Sequence, residues 1–256
     1  MTDILASVDG LARARDAADA IRVTLEGALE TAVGPSRGAL RDQWWQACRM
    51  LDLVPCHFSQ SGQDHFIDVV LTDGARDRVF VEVGALDGVT GSNTLFFEMF
   101  RGWRGLLVEA VPELAEAARQ NRRSPCVSAA VGVPGPARLI QVESGYTQMS
   151  GLVSAYDDVT LAHVRQHPAH RERTFEVEVR DLADVLDEAG ITRVDYLSLD
   201  IEGAEVDVLA RFPFERIPVA VWSVENPASR PEVPEILGAA GYERVEYVGV
   251  DEIYAR

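Results

Sequence analysis

Strands that alternate with helices from residue 78 onward constrain the fold of this chain most. Short apolar segments rich in valine, leucine and isoleucine lie at 78–84, 105–109, 127–131, 194–200 and 217–224. Helical patterns follow several of them, at 112–121, 206–212 and 232–240. Such alternation predicts an α/β fold with a mostly parallel sheet, buried by helices on both faces. Two last strands, at 242–248 and 252–255, are expected to form a hairpin around Gly249 and give the sheet an antiparallel C-terminal edge.

The first 55 residues follow a purely helical pattern. Apolar residues recur at helical spacing through 5–29, residues 34–38 break the pattern, and a second helix follows to about Pro55. We interpret residues 1–55 as a helical extension that is either a cap over the main domain or the interface of a homodimer. Residues 56–256 form the main domain, and an irregular stretch at about 134–175 predicts a lid-like insertion that shapes the substrate site.

The charge of the chain excludes several classes of function. Its 256 residues include 41 acidic and 24 basic side chains, which gives a formal net charge of −17. This excess of acid argues against nucleic acid or an anionic membrane as a partner, because phosphate binding needs a basic surface. Every one of the basic residues counted is arginine, so a catalytic lysine is ruled out.

The sequence also bears on the compartment. It has no signal-peptide pattern and no apolar run long enough to span a membrane. Its three cysteines are odd in number and lack metal-ligand spacing. We therefore expect a cytoplasmic protein with reduced core thiols.

A glycine turn at the end of the first strand is the first candidate binding element. Gly84 and Gly88 bracket this turn, and the next acidic strand end, Glu109, follows 21 positions after Gly88. A carboxylate at that spacing can accept hydrogen bonds from both hydroxyls of an adenosine ribose. The turn lacks the dinucleotide pattern GxGxxG, and Asp87 would repel a pyrophosphate but suits the cationic S-adenosylmethionine. An NAD-dependent dehydrogenase on the same architecture is the alternative, and a plain turn capped by Asp87 stays open.

The chain resembles the FkbM-type methyltransferases over residues 59–255. The resemblance rests on seven blocks in the expected order, at 59–64, 80–88, 92–94, 102–109, 197–205, 223–226 and 251–254. It implies a Rossmann-like class I methyltransferase fold, S-adenosylmethionine as methyl donor, and O-methylation of a small-molecule hydroxyl on a natural product or saccharide. A non-catalytic assembly module with this fold is a further alternative, although the acidic residues at the strand ends argue against it.

The resemblance and the residue chemistry together assign a cofactor site at the carboxyl ends of the strands. Its expected members are Gln63, Glu82, Gly84, Asp87, Gly88, Ser92, Asn93, Glu109, Ser128, Ala129 and Asp200. The methionine and ribose portions are expected to meet Glu82, Gly84 and Asp87, and the adenine ring to meet Ser128 and Ala129. Glu109 would face the ribose hydroxyls and Gln63 the methionine end. For Ser92 and Asn93, binding of the cofactor carboxylate and capping of the next helix are equal alternatives.

Three acidic residues near the ends of the fourth and fifth strands are the catalytic candidates. An oxygen nucleophile is weak until it loses its proton, so a base or a metal ion must lie within reach. We expect Asp200 to position or deprotonate the acceptor hydroxyl, with Glu202 and Glu225 in support. A less favoured alternative is that the three carboxylates bind a divalent cation, and another is that Asp200 only caps a helix. His65 is a further candidate base.

Overall fold

The structure, a computed structural model, describes residues 2–156 and 158–256 and, within that range, the side chains from residue 10 onward. Its α-helices are α1 (Thr2–Leu29), α2 (Pro35–Met50), α3 (Gln63–Phe66), α4 (Pro112–Asn121), α5 (Asp158–Arg165), α6 (Leu182–Glu188), α7 (Glu205–Arg211) and α8 (Glu232–Ala239). Two π-helical turns lie at Ile67–Leu71 and Phe97–Arg101. Its strands are β1 (Val79–Val83), β2 (Arg104–Glu109), β3 (Cys126–Ser128), β4 (Ala130–Val131), β5 (Gly135–Ser144), β6 (Gly151–Leu152), β7 (Arg171–Arg180), β8 (Val194–Leu199), β9 (Val219–Glu225), β10 (Glu243–Val248) and β11 (Asp251–Ala255).

The central sheet has seven strands in the order β10-β11-β9-β8-β1-β2-β3. Strands β3, β2, β1, β8 and β9 run parallel to one another, which confirms the predicted α/β fold with a mostly parallel sheet. The final hairpin around Gly249 also forms, and β11 pairs antiparallel with both β9 and β10. The reversed strand, β11, is therefore the second strand from this edge of the sheet, and β10 forms the edge itself. Its first residue, Asp251, pairs with Glu225 at the end of β9.

Helices cover both faces of this sheet, as the apolar strands require. On one face α6, α7 and α8 pack against strand side chains such as Val81, Leu197 and Trp222. On the other face α3, α4 and the two π-helical turns pack around Phe80 and Leu107. Because helices cover both faces, the ends of the strands are the parts of the sheet that a ligand can reach.

The segment that the sequence predicts to be irregular is folded into a second sheet. Strands β5 and β7 pair antiparallel along most of their length, and β6 and β4 extend the sheet on either side. The prediction of an irregular stretch at 134–175 is wrong, because charged and apolar residues alternate in 171–180 as in a half-exposed antiparallel strand. The predicted third strand also divides, since β3 lies in the central sheet and β4 in the second. A lid function for this segment stays a prediction.

The two N-terminal helices form a hairpin beside the edge of the central sheet. Ala18 and Leu25 of α1 are buried, and α2 packs against β10. Arg37 of α2 donates a hydrogen bond to Glu246 of β10, with 2.5 Å between Nε and Oε1. The helical nature of the segment is therefore observed, whereas its service as a cap or a dimer interface stays a prediction.

Two further observations concern the cysteines and the membrane. All three cysteines lie in the described part of the chain and are free thiols; Cys48 and Cys126 are buried as expected, whereas Cys56 is exposed. Among the described residues, no helix combines the length and the apolar character that crossing a membrane requires.

Candidate active site

A deep cleft lies at the carboxyl ends of the parallel strands, where open α/β sheets bind their ligands. The ends of β1, β2, β8 and β9 line it, together with Gln60, Ser61 and Gln63, with residues 148–152, which lead into and include β6, and with the start of β11. Its space, open mouth included, is about 1280 Å³.

Gly84 turns the chain out of β1 at the floor of this cleft. Its φ of +88° lies in the left-handed region, which glycine adopts without steric cost. Its Cα faces the backbone carbonyl of Asp200 at the end of β8. The ends of β1 and β8 are therefore in direct contact beneath the space that a ligand would fill.

Glu109 lies in the cleft at the end of β2. Its carboxylate accepts hydrogen bonds from the backbone amides of Leu86 and Val111, both at 2.8 Å. These contacts orient the two oxygens and leave each a further lone pair for a ligand hydroxyl. Burial raises the pKa of Glu109 to about 7, and a hydroxyl pair that donates to the carboxylate would favour its ionised form.

Glu82 lies at the cleft wall, but other residues of the chain already occupy its carboxylate. It accepts hydrogen bonds from the Ser92 hydroxyl (2.9 Å), the Asn93 amide (2.6 Å) and the Thr94 hydroxyl (2.7 Å). The buried guanidinium of Arg122 lies 3.4 Å away and compensates the charge. Glu82 fixes the segment that forms the cleft wall. It also lines the cleft, and its direct contact with the cofactor stays a prediction.

Two other predicted cofactor residues point away from the cleft. Asp87 accepts hydrogen bonds from the amides of Val89 (2.9 Å) and Thr90 (2.7 Å), so its carboxylate shapes the turn itself. Gly88 packs on α4, where a Cβ atom would lie 2.8 Å from Cγ of Arg122. Neither Asp87 nor Gly88 is among the residues that line the cleft, and their contact with the cofactor stays a prediction.

Ser128 and His65 are not among the residues that line the cleft either. Ser128 ends β3 with an exposed side chain, whereas the neighbouring Ala129 does line the cleft. His65 packs among the aromatic rings of Trp44, Trp45 and His57. Burial lowers the pKa of His65, as does the nearby His57. This imidazole is a packing residue outside the cleft.

Ser92 caps the following helix, which is one of the two alternatives that the sequence left open for Ser92 and Asn93. The Ser92 hydroxyl accepts hydrogen bonds from the amides of Thr94 (3.2 Å) and Leu95 (3.1 Å), which is the geometry of a helix cap. Asn93 donates its side-chain amide to Ser198 at 2.8 Å. Its Oδ1 atom is buried and has no hydrogen-bond partner in the described structure. An unsatisfied acceptor in a cleft wall fits a ligand that donates a hydrogen bond.

Asp200, Glu202 and Glu225 form a carboxylate cluster in the cleft. One oxygen from each lies within 4.8 Å of those of the other two, because β8 and β9 are parallel neighbours and end side by side. Burial and the charges of nearby carboxylates raise the pKa of Asp200 to about 7 and that of Glu202 to about 9. The same causes raise the pKa of Glu225 well above its usual value. Near neutral pH the cluster therefore retains protons, and Asp200 is the member closest to its titration point.

The loop that carries Glu202 is held from two sides. Glu202 has a φ of +58°, a conformation that costs a residue with a Cβ about 1–3 kcal/mol and is common at functional sites. Glu205 accepts hydrogen bonds from the amides of Ile201 (2.9 Å) and Gly203 (3.1 Å) and so closes the loop. The second sheet packs on it, since a Cβ atom at Gly151 would lie 2.9 Å from Cβ of Glu202.

Asp251 is a cleft residue that the sequence prediction missed. It stands at the start of the reversed strand β11 and accepts a hydrogen bond from the Ser223 hydroxyl at 2.6 Å. Gln63, which also lines the cleft, hydrogen-bonds to the same carboxylate. Burial raises the pKa of Asp251 to about 6, and its charge contributes to the raised pKa of Asp200. The block at 251–254 was the signal for it, but only the direction of β11 brings this block to the cleft.

The cleft is acidic, and its carboxylate cluster also fits a divalent cation. Carboxylate oxygens are the ligands that Ca²⁺ and Mg²⁺ prefer, and the three side chains bring theirs together without rearrangement. In the part of the chain that the structure describes, no arginine or histidine lines the cleft. The negative charge of these carboxylates can be offset by a bound cation, by a positively charged group of a ligand or by protons that the carboxylates retain.

Comparison with known proteins gives the family. The sequence profile of the methyltransferase FkbM domain matches residues 82–244, which is more than half of the chain. The chain belongs to the FkbM methyltransferase family. No curated protein matches this FkbM-family chain.

Solved structures similar to the FkbM-family chain include several methyltransferases, all at low identity. Methyltransferase FkbM from Methylobacillus flagellatus KT is 12% identical, with a TM-score of 0.46, over 92% of this chain and 58% of that one. Precorrin-6y C5,15-methyltransferase from Geobacter metallireducens GS-15 is 12% identical, with a TM-score of 0.39, over 77% of this chain and 88% of that one. Human methyltransferase 10 domain containing protein is 12% identical, with a TM-score of 0.38, over 75% and 77% of the two chains.

Membership of the FkbM family implies S-adenosylmethionine as the methyl donor, and the cleft residues fit this group. Glu109 presents two oriented oxygens to hydroxyl donors. The unsatisfied Oδ1 of Asn93 suits a donor such as an ammonium group. Gly84 and Ala129 leave space along the floor and wall. These residues would hold the donor beside Asp200.

Proposed function

We propose that this FkbM-family protein transfers a methyl group from S-adenosylmethionine to a hydroxyl group of a small molecule, such as a natural product or a saccharide. The observation that carries the proposal is the position of Asp200, which lies in the cleft at the carboxyl ends of the strands with a pKa raised to about 7 by burial and neighbouring carboxylates. A general base works best when its pKa lies near the working pH. A hydroxyl acceptor needs such a base, because it is a weak nucleophile before it loses its proton.

Two halves of the cleft then serve two ligands. Glu109 and Asn93 form the donor half, where they bind hydroxyl and ammonium groups. The carboxylate cluster forms the acceptor half, together with Gln148 and Met149 from the second sheet. S-adenosylmethionine supplies the electrophilic methyl group when bound.

The chain's own residues orient the acceptor and take its proton. Asp200 accepts the hydrogen bond of the acceptor hydroxyl and takes up its proton. Glu225 hydrogen-bonds to Asp200 and keeps its carboxylate aimed into the cleft. The close packing of the second sheet on Glu202 keeps the cluster compact. The rate gain comes mainly from holding both reactants at attack distance.

The charge of the cleft limits the acceptor. Anionic groups such as phosphates meet several carboxylates and no basic side chain among the described lining residues. The acceptor is therefore neutral or cationic near the methylated oxygen. The same charge disfavours the pyrophosphate of NAD, the cofactor of the dehydrogenase alternative.

A labelling assay tests the proposal. The protein is incubated with S-adenosylmethionine that carries a labelled methyl group and with a panel of neutral, cationic and anionic hydroxyl compounds. We expect label in an ether product of a neutral or cationic compound. In parallel, S-adenosylhomocysteine should raise the unfolding temperature and NAD should not. Stabilisation by NAD alone would support the dehydrogenase, and stabilisation by neither compound would support the non-catalytic module.

A further inference from the structure

Helix α2 contacts the segment that closes one side of the cleft. We call residues 59–63 the cleft loop, because its residues Gln60, Ser61 and Gln63 line the cleft. Three α2 side chains hold this loop by hydrogen bonds. Trp45 Nε1 donates to the Ser59 carbonyl (3.3 Å) and Gln46 Nε2 donates to the Gln60 carbonyl (3.2 Å). Asp42 Oδ1 accepts a hydrogen bond from the Ser61 hydroxyl (2.7 Å). The N-terminal helices are thus connected to the site itself.

A chain of hydrogen bonds leads from α2 to the floor of the cleft. Asp42 binds the Ser61 hydroxyl, and the Ser61 amide donates to Oε1 of Gln63 at 3.1 Å. The Gln63 side chain in turn hydrogen-bonds to Asp251. Asp251 accepts a second hydrogen bond, from Ser223 of β9. Four links therefore connect a helix outside the family match to the strand that bears Glu225.

Close backbone packing leaves the cleft loop little freedom beside α2. Gly62 has a φ of +90°, and a Cβ atom there would lie 2.8 Å from the Trp45 ring. A Cβ atom at Gly249 would lie 2.5 Å from the Ser61 hydroxyl, and the Gly249 amide donates to the Gly38 carbonyl at 3.2 Å. The loop is therefore enclosed between α2 and the turn of the final hairpin.

On its inner side the cleft loop covers the donor half of the cleft. The Gln60 side chain lies over Gly91, where a Cβ atom would lie 2.9 Å from its Cγ. Gly91 directly precedes Ser92, the cap of the segment that Glu82 fixes. A displaced loop would uncover this wall.

We propose that Asp42 is a positioning residue that holds the cleft loop in its closed place, so that the N-terminal helical hairpin is part of the cofactor site. The proposal rests on the proposed function for the identity of the ligand. Asp42 acts through Ser61 and does not itself line the cleft. Its side chain is half-buried, so its loss should affect the loop more than the core.

Three full-length variants test this role. Asp42→Ala removes the acceptor for Ser61, whereas Asp42→Asn keeps an acceptor oxygen at the same place. Asp187→Ala is the matched control, because Asp187 is an exposed helix carboxylate paired with Arg216. Titration calorimetry with S-adenosylhomocysteine gives the affinity, and hydrogen exchange of the amides in residues 58–64 gives the order of the loop without any ligand.

We expect Asp42→Ala to weaken the binding of S-adenosylhomocysteine up to about tenfold, which corresponds to the loss of one hydrogen bond. The KM for S-adenosylmethionine should rise in proportion, with kcat unchanged at saturation. The loop amides should exchange faster, because local opening becomes easier. Asp42→Asn should restore affinity and exchange, and Asp187→Ala should match the parent.

The outcomes separate this inference from the proposed function. Unchanged loop exchange and unchanged affinity in a folded Asp42→Ala protein would overturn the positioning role. An equal loss in Asp42→Asn would also overturn it, since charge and not the hydrogen bond would then matter. Faster exchange in Asp42→Ala together with no binding of S-adenosylhomocysteine by the parent would support the positioning role and refute the proposed cofactor. Circular dichroism and the unfolding temperature of each variant establish that it is folded.

Discussion

A Cβ atom at Gly84 would lie 1.7 Å from the carbonyl oxygen of Asp200. Both groups are backbone, and each ends a strand of the central sheet, so neither can move aside without disturbing β1 or β8. Gly84, which the sequence analysis assigns to the cofactor site, is needed first for the close approach of two strands. This contact lies between the cleft residues at the end of β2 and those at the end of β8.

Replacing Gly84 with alanine should therefore damage the fold and the site together. We expect a loss of roughly 2–4 kcal/mol in the free energy of unfolding, from overpacking and a left-handed backbone combined. Denaturant titration measures it. Gly190→Ala is the matched control, because Gly190 has a similar φ of +71° with open space around it. An equal loss in both variants would show that the contact with Asp200 is unimportant.

Glu109→Ala should weaken cofactor binding. The substitution removes the carboxylate that would bind both ribose hydroxyls, and hydrogen bonds to a charged group contribute about 1.5–3 kcal/mol each. The dissociation constant of S-adenosylhomocysteine should rise at least about tenfold by calorimetry. Glu116→Ala, an exposed carboxylate of α4, should have no effect. Unchanged affinity in Glu109→Ala would mean that the donor lies elsewhere in the cleft.

Turnover should depend on pH through Asp200. The base works only without its proton, so kcat should rise with pH up to about 7, the raised pKa of this carboxyl, and level off above it. Asp200→Asn should lower kcat by about 10²- to 10⁴-fold, the usual contribution of a general base, and leave the affinity for S-adenosylhomocysteine intact. Asp207→Asn, an exposed position of α7, provides the control. A full rate in Asp200→Asn would remove the catalytic assignment.

The carboxylate cluster should make the ligand-free protein less stable as pH rises. The pKa of Glu202 is raised in the folded state to about 9, above its ordinary value near 4.5 in the unfolded chain, so the folded state holds a proton that the unfolded state has lost. Stability from this group is full below pH 4.5 and falls as pH rises toward about 9. Glu202→Gln should therefore unfold at least about 2 °C higher than the parent at pH 8.

The pH series contains its own control, because at pH 4.5 the parent and Glu202→Gln should unfold at nearly the same temperature. Differential scanning calorimetry without ligand or metal measures both. A difference that stays constant across this range would show that Glu202 is not responsible.

Removal of divalent metal should leave methyl transfer intact. We expect the rate after dialysis against EDTA to equal the untreated rate, since Asp200 can take the proton without a Lewis acid. The assay compares treated protein with and without added Mg²⁺. A loss of activity that Mg²⁺ restores would instead establish the cluster of Asp200, Glu202 and Glu225 as a metal site.

Sequence periodicity was sufficient for the central sheet but not for the second one. The apolar runs of β1 and β8 are typical of parallel strands that are buried between two layers of helices. The strand at 171–180 alternates charged and apolar residues and lies next to arginines and histidines. Because one of its faces is polar, the sequence analysis did not predict it as a strand. The order of the last two strands could not be predicted either. The sequence of a hairpin at the sheet edge does not indicate which of its two strands pairs with the neighbouring strand.

The same contrast applies to the site. Spacing brought Glu109 and the cluster residues to the correct edge, because the ends of parallel strands share that edge. Spacing says nothing of where a side chain points, and so Asp87 was placed in the cleft although it shapes its own turn. The internal partners of Glu82 could not be predicted for a different reason. Its partner Arg122 lies 40 positions away, and no local pattern connects the two.

The reversed strand β11 has a consequence for folding. It brings Asp251 beside strand ends that precede it by dozens of residues, and the cleft loop reaches the same carboxylate from the other end of the domain. Closing long loops costs entropy before any contact rewards it, so we expect such long-range pairings to form late. A ligand in the cleft would then bind only after the whole sheet has assembled. Binding should then protect both ends of the domain from proteolysis at once, by mass action on the native state.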